Sequence, residues 1–352
     1  MRKPVILYTY PVSSSFIVQD IDTFQEAYSV KEFRFQPSNK LLLPLSLIRQ
    51  KIFLIFNISS SDILICQFAG YHSLLPVIFA KIFRRPCLIV VGGTDCISIP
   101  SINYGNFRKP VLGWFTRKSL KNATHITAPS ESLIESNYTY KSIKYPNQGF
   151  RNFDRSIKTP CTVIHNGINT SHFVPVAGVE RKKNKFLTIC TIIDHRNYLL
   201  KGLDLFVEAA IYYPDCEFTI IGRISKGFDI KTPDNLTLTD FIPNEMLPAK
   251  ISEYTYYCQF SMSEGFGVAL AEAMACGCVP IVSNVGIMGY IVGDSGFVLG
   301  KHDTALLKSL IHKAFNCDTG MLSLEAQNRI AGLFSNKKRS SEFLELISKM
   351  LN

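Results

Sequence analysis

Ser261-Met-Ser-Glu-Gly-Phe-Gly-Val-Ala-Leu-Ala-Glu-Ala-Met-Ala-Cys-Gly-Cys-Val-Pro280 is the stretch from which the rest of the chain can be read. A polar turn, Ser261 to Ser263, closes an apolar run over 256–260 that reads as a β-strand. A glycine-flanked helix is expected over 265–276, and a second strand over 279–282. The backbone N–H groups of Gly265, Phe266, Gly267 and Val268 would open that helix, and unpaired amides at a helix N-terminus make a ready phosphate site. The glycines let a ligand approach the backbone closely. Glu264 stands where the helix is expected to begin, and Glu272 follows further along it. With both on the helix, its rise would separate them by roughly 12 Å. Two carboxylates working on one glycosidic bond need about 5–9.5 Å. The wider spacing suits two grips on one long ligand.

Outward from this stretch, short β-rich runs alternate with helical patterns, the signature of parallel α/β sheets. Strands are expected over 5–8, 30–35, 62–66, 86–91 and 125–128, with helices over 16–28, 41–56, 73–83, 110–121 and 130–137, the last capped by Ser130. The second half repeats the theme, with strands over 186–192, 217–221 and 236–238 and helices over 203–213, 244–252 and 304–315. Asn166-Gly167 is a strong turn signal in the segment joining the halves. Two Rossmann-like domains follow, residues 1–165 and 166–337. The amphipathic tail 338–351 carries Phe343, Leu346, Ile347 and Met350 on one face.

The chain has 352 residues, long enough to favour two domains, and its 47% hydrophobic and 12% aromatic content can fill their cores. The net charge of +10 is unevenly placed. Residues 1–175 hold 20 Lys and Arg against 9 Asp and Glu, and residues 176–352 hold 18 against 19. A basic first half suits an anionic lipid surface or an anionic acceptor, or is simply a solvated face. No recognition helix or stacking motif supports nucleic acid. The ten cysteines, scattered without a CxxC pair or a zinc-like cluster, read as free thiols of a reducing compartment. The Met1-Arg-Lys-Pro start has no secretory pattern, and no apolar run reaches the ~18–20 residues of a membrane span. A cytoplasmic chain is expected, peripheral on the cytoplasmic face of the inner membrane if its basic half docks there.

Three further clusters carry chemistry. Thr191 to Ala210 places Arg196 and Lys201 after the first strand of the second half, at the sheet edge where ligands bind. Arg grips a diphosphate bidentately and Lys acts as a point charge, the bland alternative being a cationic helix cap. Val90-Val-Gly-Gly-Thr-Asp95 ends a buried strand in a glycine-rich loop, with Phe68-Ala-Gly-Tyr-His72 one strand earlier. Asp95 is read as facing a cleft, or else as a turn residue, and His72 as a contact residue or a helix cap. Asp20-Ile-Asp22 has the look of a DxD metal motif, but positions i and i+2 of a helix do not face one another, so a solvated helix face is expected. No metal site is expected.

The Glu264–Glu272 stretch closely resembles the donor-binding signature of retaining GT-B glycosyltransferases of family 4, E-G-F-G-x-x-x-x-E-A-M-A-x-G. The resemblance covers most of the chain, strongest over 186–285 and weaker over 62–135. It implies a GT-B fold, two Rossmann-like domains facing across a cleft, with the C-terminal helix returning to the first. It implies a cytoplasmic enzyme that moves a sugar, with retention, from a nucleotide-diphosphate donor to a saccharide or lipid-linked acceptor such as a surface-polysaccharide intermediate. The donor is a substrate, and no cofactor is expected. Glu272 would bind the nucleotide ribose and Glu264 the donor sugar, with Lys201, Arg196 and the Gly265–Gly267 amides on the diphosphate. Lys201 sits in Lys-Gly-Leu-Asp as the family pattern does, but the Gly-Arg that supplies the arginine is missing, leaving Arg196 or His195 to serve. Asp95, with Gly93, Thr94 and His72, resembles an acceptor-side loop of one branch. The first loop, Tyr10 to Phe16, lacks the usual glycines, so Ser14 and Ser15 would contact the acceptor. Gly289-Tyr290 replaces the usual Pro-Glu, a departure from the family's donor-sugar loop. Another GT-B enzyme, an epimerase or phosphorylase, and a catalytically silent sugar-nucleotide-binding protein are the alternatives.

Overall fold

Val5–Tyr10 (β1), Ile63–Gln67 (β3) and Cys87–Val90 (β4) are near-continuous apolar runs, and every residue in them is buried, as strands sandwiched between helix layers require. They belong to the first of two units in this computed structural model, which describes all residues except Met1, Ser13 and Ser38 and, for Ser15 and Lys40, the backbone alone. The unit comprises 1–137, 144–166 and 337–352. Its other strands are Ser29–Arg34 (β2), His125–Ala128 (β5) and Cys161–Val163 (β8), giving a six-stranded parallel sheet in the order β2-β1-β3-β4-β5-β8. The crossovers are Ser15–Ala27 (α1), Leu43–Asn57 (α2), Leu74–Ile82 (α3) and Pro110–Asn122 (α4), followed by the short Phe150–Phe153 (α5). The helix expected over 130–137 is absent. Ser130 Oγ bonds Ser132 Oγ at 2.8 Å instead of capping, and the chain makes one 3₁₀ turn, Glu131–Leu133. A small antiparallel hairpin follows, Ser136–Asn137 (β6) with Asn147–Gln148 (β7).

The second unit comprises 138–143 and 167–336. Six parallel strands are ordered β11-β10-β9-β12-β13-β14: Lys182–Ile193 (β9), Glu217–Ile224 (β10), Leu236–Thr239 (β11), Tyr254–Gln259 (β12), Val279–Ser283 (β13) and Phe297–Leu299 (β14). Its helices are His195–Leu200 (α6), Leu203–Tyr212 (α7), Leu247–Ser252 (α8), Val268–Ala275 (α9), Met288–Val292 (α10), Thr304–Phe315 (α11) and Thr319–Leu333 (α12). Phe186 stacks at 4.7 Å on both Phe218 and Tyr256, a cross-strand aromatic row at the centre of this core. The segment 138–143 was expected in the first domain. Its Tyr140 is fully buried, and Tyr140 O accepts from His302 N, which fixes it in the second unit.

Asn336–Leu351 (α13) returns to the first unit. Phe343 packs edge-on to Phe24 at 5.8 Å, and Ile347 joins the same cluster. Asp20, expected on a solvated face, is buried. Its two carboxylate oxygens accept from Arg339 Nε and Nη2 at 2.8 Å each, and Arg339 Nη1 also reaches His165 O and Asn166 Oδ1. This bidentate pair locks the tail to α1 and removes Asp20 from any metal site. Among the described residues no group of three His, Cys, Asp or Glu could hold a metal ion, and no helix is long and apolar enough to cross a membrane. The ten cysteines are free thiols.

Candidate functional site

β9 and β12 are neighbours in the second sheet, so the loops leaving their carboxyl ends meet. Met262 N donates to Leu200 O at 2.8 Å where they cross. Gly202 makes the approach possible: it has φ +68, and a Cβ there would lie 2.1 Å from Phe260 O. The crossing brings Lys201 to Glu264 across 63 residues of sequence. Lys201 Nζ donates to Glu264 Oε2 at 2.7 Å, with both side chains partly exposed. Gln259 Nε2 donates to the same oxygen at 2.8 Å, and Gln259 Oε1 accepts from the Tyr257 hydroxyl at 3.3 Å. Two donors on Oε2 fix the carboxylate and leave Oε1 to receive a ligand hydroxyl. Burial pushes the Tyr257 phenol well above its ordinary value, reinforced by the negative charges of Glu272 and Glu264. It therefore remains protonated and a donor to Gln259.

The helix after Glu264 begins later than its glycines suggest. α9 starts at Val268, with Gly267 at the N-cap in a left-handed conformation (φ +102). Ala271 N donates to Gly267 O, so Val268, Ala269 and Leu270 carry the N–H groups that open the helix, and Gly265 to Gly267 form the loop before it. Glu264 lies in that loop, so the separation expected from helical rise does not apply. Phe266 turns inward, buried against Phe334 at 5.5 Å, and offers a ligand its backbone alone. Glu272 lies on α9, half-buried, and its carboxylate makes no hydrogen bond or ion pair among the described residues. Burial pushes it up to about 8.

Arg196 lies on α6, which Asp194 caps by accepting from Asn197 N at 2.7 Å. Arg196 is exposed, 3.9 Å from Asp194 and bonded to Asn197 Oδ1, and does not share in the Lys201–Glu264 cluster. The His195 ring faces Phe228 at 6.4 Å. Gly289 and Tyr290 stand in α10, with Tyr290 edge-on to Phe334 and the Arg329 guanidinium over its ring.

In the first unit the expected contact residues turn mostly inward. Asp95 is buried, its Oδ2 accepting from Ala69 N at 2.9 Å and its Oδ1 from Gly92 N and Gly93 N at 3.1 and 3.0 Å. It staples the loops after β3 and β4 together instead of facing a ligand. Burial raises its carboxyl, and the three amides work against that shift. His72 is also a core residue. Nε2 bonds Gln67 O at 2.7 Å, and burial holds the imidazole down at about 4, neutral at pH 7. Gly93 is buried, while Thr94 is exposed and donates to the Tyr104 hydroxyl at 3.0 Å. Ser14 takes the N-cap position of α1, its backbone O accepting from Ile17 N and Val18 N, but its side chain makes no cap bond and its Oγ is buried with no partner among the described residues. The side chain of Ser15 lies outside the described residues.

Residues 179–331 match the family model Glycosyl transferases group 1. The region contains Lys201, Gln259, Glu264 and Glu272. A phosphatidylinositol N-acetylglucosaminyltransferase subunit from Arabidopsis thaliana is 25% identical over 194 residues, 51% of this chain and 42% of the relative. The chain spans less than half the length of the curated relatives it matches. Among solved structures, sucrose-phosphate synthase from Thermosynechococcus elongatus is similar over 99% of both chains, with a TM-score of 0.75 and 15% identity. Anabaena HepE, solved with UDP and glucose, is similar over 98% of this chain and 100% of its own, with a TM-score of 0.69 and 15% identity. The two-unit α/β fold with parallel sheets is thus that of GT-B glycosyltransferases.

Within the matched region 179–331, sequence reasoning missed Gln259 and Tyr257. The available signal was a polar pair at i and i+2 in an apolar run, which puts both on one face of a strand.

Proposed function

We propose that this chain is a retaining, metal-independent glycosyltransferase of the family 4 type. It would transfer a sugar from a nucleotide-diphosphate donor to a saccharide acceptor carried on a lipid at the cytoplasmic face of a membrane. The observation that carries the reading is the Lys201–Glu264 contact at 2.7 Å, formed at the carboxyl ends of adjacent strands beside the opening of α9. Its support is the match of the surrounding domain to group 1 glycosyltransferases. The UDP and glucose of the HepE structure and the phosphatidylinositol in the Arabidopsis relative's name agree with the donor and acceptor classes.

In this reading Glu264 accepts hydroxyls of the donor sugar through Oε1, and Glu272 accepts from the nucleotide ribose. Lys201 transfers part of its charge pairing from Glu264 to the diphosphate, with Arg196 as the second cation and the α9 amides beside them. Negative charge grows on the diphosphate as the glycosidic bond breaks, and fixed donors stabilise it without reorganising. Charge is met by cations and backbone amides, so no metal ion is needed. The leaving phosphate oxygen takes the acceptor proton, which dispenses with a separate base. The buried positions of Asp95 and His72 agree with that economy.

Thermal unfolding with a panel of nucleotide sugars tests the reading. A ligand at a hundred times its Kd adds about 2.7 kcal/mol of stability. The donor that shifts the transition should then yield a glycosylated acceptor. A shift with nucleotide sugar but no product from any lipid-linked or soluble saccharide would instead mark a silent binding protein, and conversion of the free donor an epimerase.

A further inference from the structure

Helix α2 carries an apolar outer face over a partly polar buried one. Its buried side carries Ser46 and Gln50 beside Leu54, with Gln50 Nε2 donating to His72 O at 2.7 Å. Its outer side carries Leu45, Ile48, Ile52, Ile55 and Phe56, each about half exposed or more, and Phe56 reaches 79%. On a water-facing helix that outer set would be polar. Right-handed crossovers from β2 to β3, β3 to β4 and β4 to β5, all progressing the same way along the sheet, place α2, α3 and α4 side by side on one face. The neighbours extend the same surface: Ile82 stands out from α3, and Trp114, the chain's single tryptophan, from α4.

Charge decides what this face meets. Residues 33–130 contain twelve Lys and Arg but only two acids, Asp62 and Asp95. Asp95 is buried, and Asp62 is paired with Arg2 at 3.1 Å. Arg49, Lys51, Lys81, Arg84 and Lys118 are exposed on or beside the three helices, so the apolar ridge is set among cations. A second copy of the chain would press one basic face against another. Nucleic acid would answer the charge but gives Ile, Leu and Phe nothing to bury against. A bilayer with anionic headgroups answers both, taking the apolar side chains into the headgroup–acyl boundary while the basic residues stay at phosphate level.

We infer that the α2–α3–α4 face is a docking surface for an anionic lipid bilayer. This deepens the lipid-linked acceptor reading, on which its purpose rests. Docking would hold the first unit at the layer where such an acceptor presents its headgroup.

The test uses the full chain with neither donor nor acceptor, so its outcome stands apart from that of the transfer reaction. Binding is followed by flotation with phosphatidylcholine vesicles, with and without phosphatidylglycerol, and by Trp114 fluorescence. Binding to the anionic vesicles alone is expected, with a blue shift of Trp114 and release as salt rises. Each basic residue removed should weaken binding roughly fivefold, so Arg84→Gln with Lys81→Gln should cost about 25-fold. Ile48→Ser with Ile52→Ser should abolish the fluorescence shift. These four side chains face solvent, and unchanged thermal unfolding and nucleotide-sugar response would show that the variants fold. Equal indifference to both vesicle types at low salt would overturn the inference. So would a dimer that Ile52→Ser dissociates, or duplex DNA binding in place of vesicle binding.

Discussion

Glu272→Gln should make the unliganded protein more stable and its donor binding worse. Burial raises the Glu272 carboxyl from an ordinary 4.5 to about 8. The folded state thus holds this proton more tightly than the unfolded chain, and ionisation works against folding. The penalty is absent below pH 4.5, grows as the pH climbs, and is complete above 8. In a site sealed from water a rise of that size would amount to roughly 5 kcal/mol at high pH. The carboxyl keeps a path to solvent, so the expectation is about 2 kcal/mol. For a unit of this size that raises Tm by roughly 4–8 °C. Gln keeps the shape and removes the charge, so thermal unfolding of both proteins at pH 5, 7 and 8.5 reads the effect directly. The curves should nearly coincide at pH 5 and separate steadily towards 8.5, while the stabilisation by nucleotide shrinks in the variant. A variant that melts at or below the parent at pH 8.5, or a gap independent of pH, would refute the reasoning.

Lys201→Ala should lose roughly 2–4 kcal/mol of transition-state stabilisation, read as a fall in kcat/KM with the identified donor. Wild-type turnover would remove the diphosphate assignment. Gln259→Leu should lower kcat about tenfold or more with little change in nucleotide affinity, because it removes one of the two donors that fix the Glu264 carboxylate without touching the proposed ribose and phosphate grips. An unchanged kcat would reduce Gln259 to a core residue. Arg339→Met leaves the buried Asp20 carboxylate unpaired and should cost about 3–5 kcal/mol in denaturant unfolding. An unaltered midpoint would mean that the pair does not fasten α13.

The alternation of strands and helices was legible because parallel strands buried on both faces must be apolar throughout, as β1, β3 and β4 are. Their helices end at visible turn signals. Local rules failed where a polar side chain found its partner elsewhere. Ser130 bonded Ser132 instead of a helix amide, and Asp20 met Arg339 across 319 residues of sequence. Asp95 and His72 look functional in a one-dimensional reading, since a polar residue in a glycine-rich loop is usually exposed. Their partners, Ala69 N and Gln67 O, are supplied by the fold and turn both inward. α12 went unrecognised because Gly320 and Gly332 blur its pattern, although Asp318 caps it. The family resemblance assigned Lys201 and Glu264 to one donor, but not their direct contact. The physical cause is the crossing of two loops over Gly202, which no local pattern announces.

The central claim is sugar transfer without metal and with retention at the Lys201–Glu264 site. The most direct measurement is the anomeric configuration of the product by ¹H NMR. The reaction would be run in excess EDTA with the donor identified by thermal unfolding and a lipid-linked saccharide acceptor. The product's new linkage should keep the donor's configuration, form at an undiminished rate and be lost with Lys201→Ala. An inverted linkage, or activity abolished by EDTA and restored by Mg²⁺ or Mn²⁺, would contradict that claim.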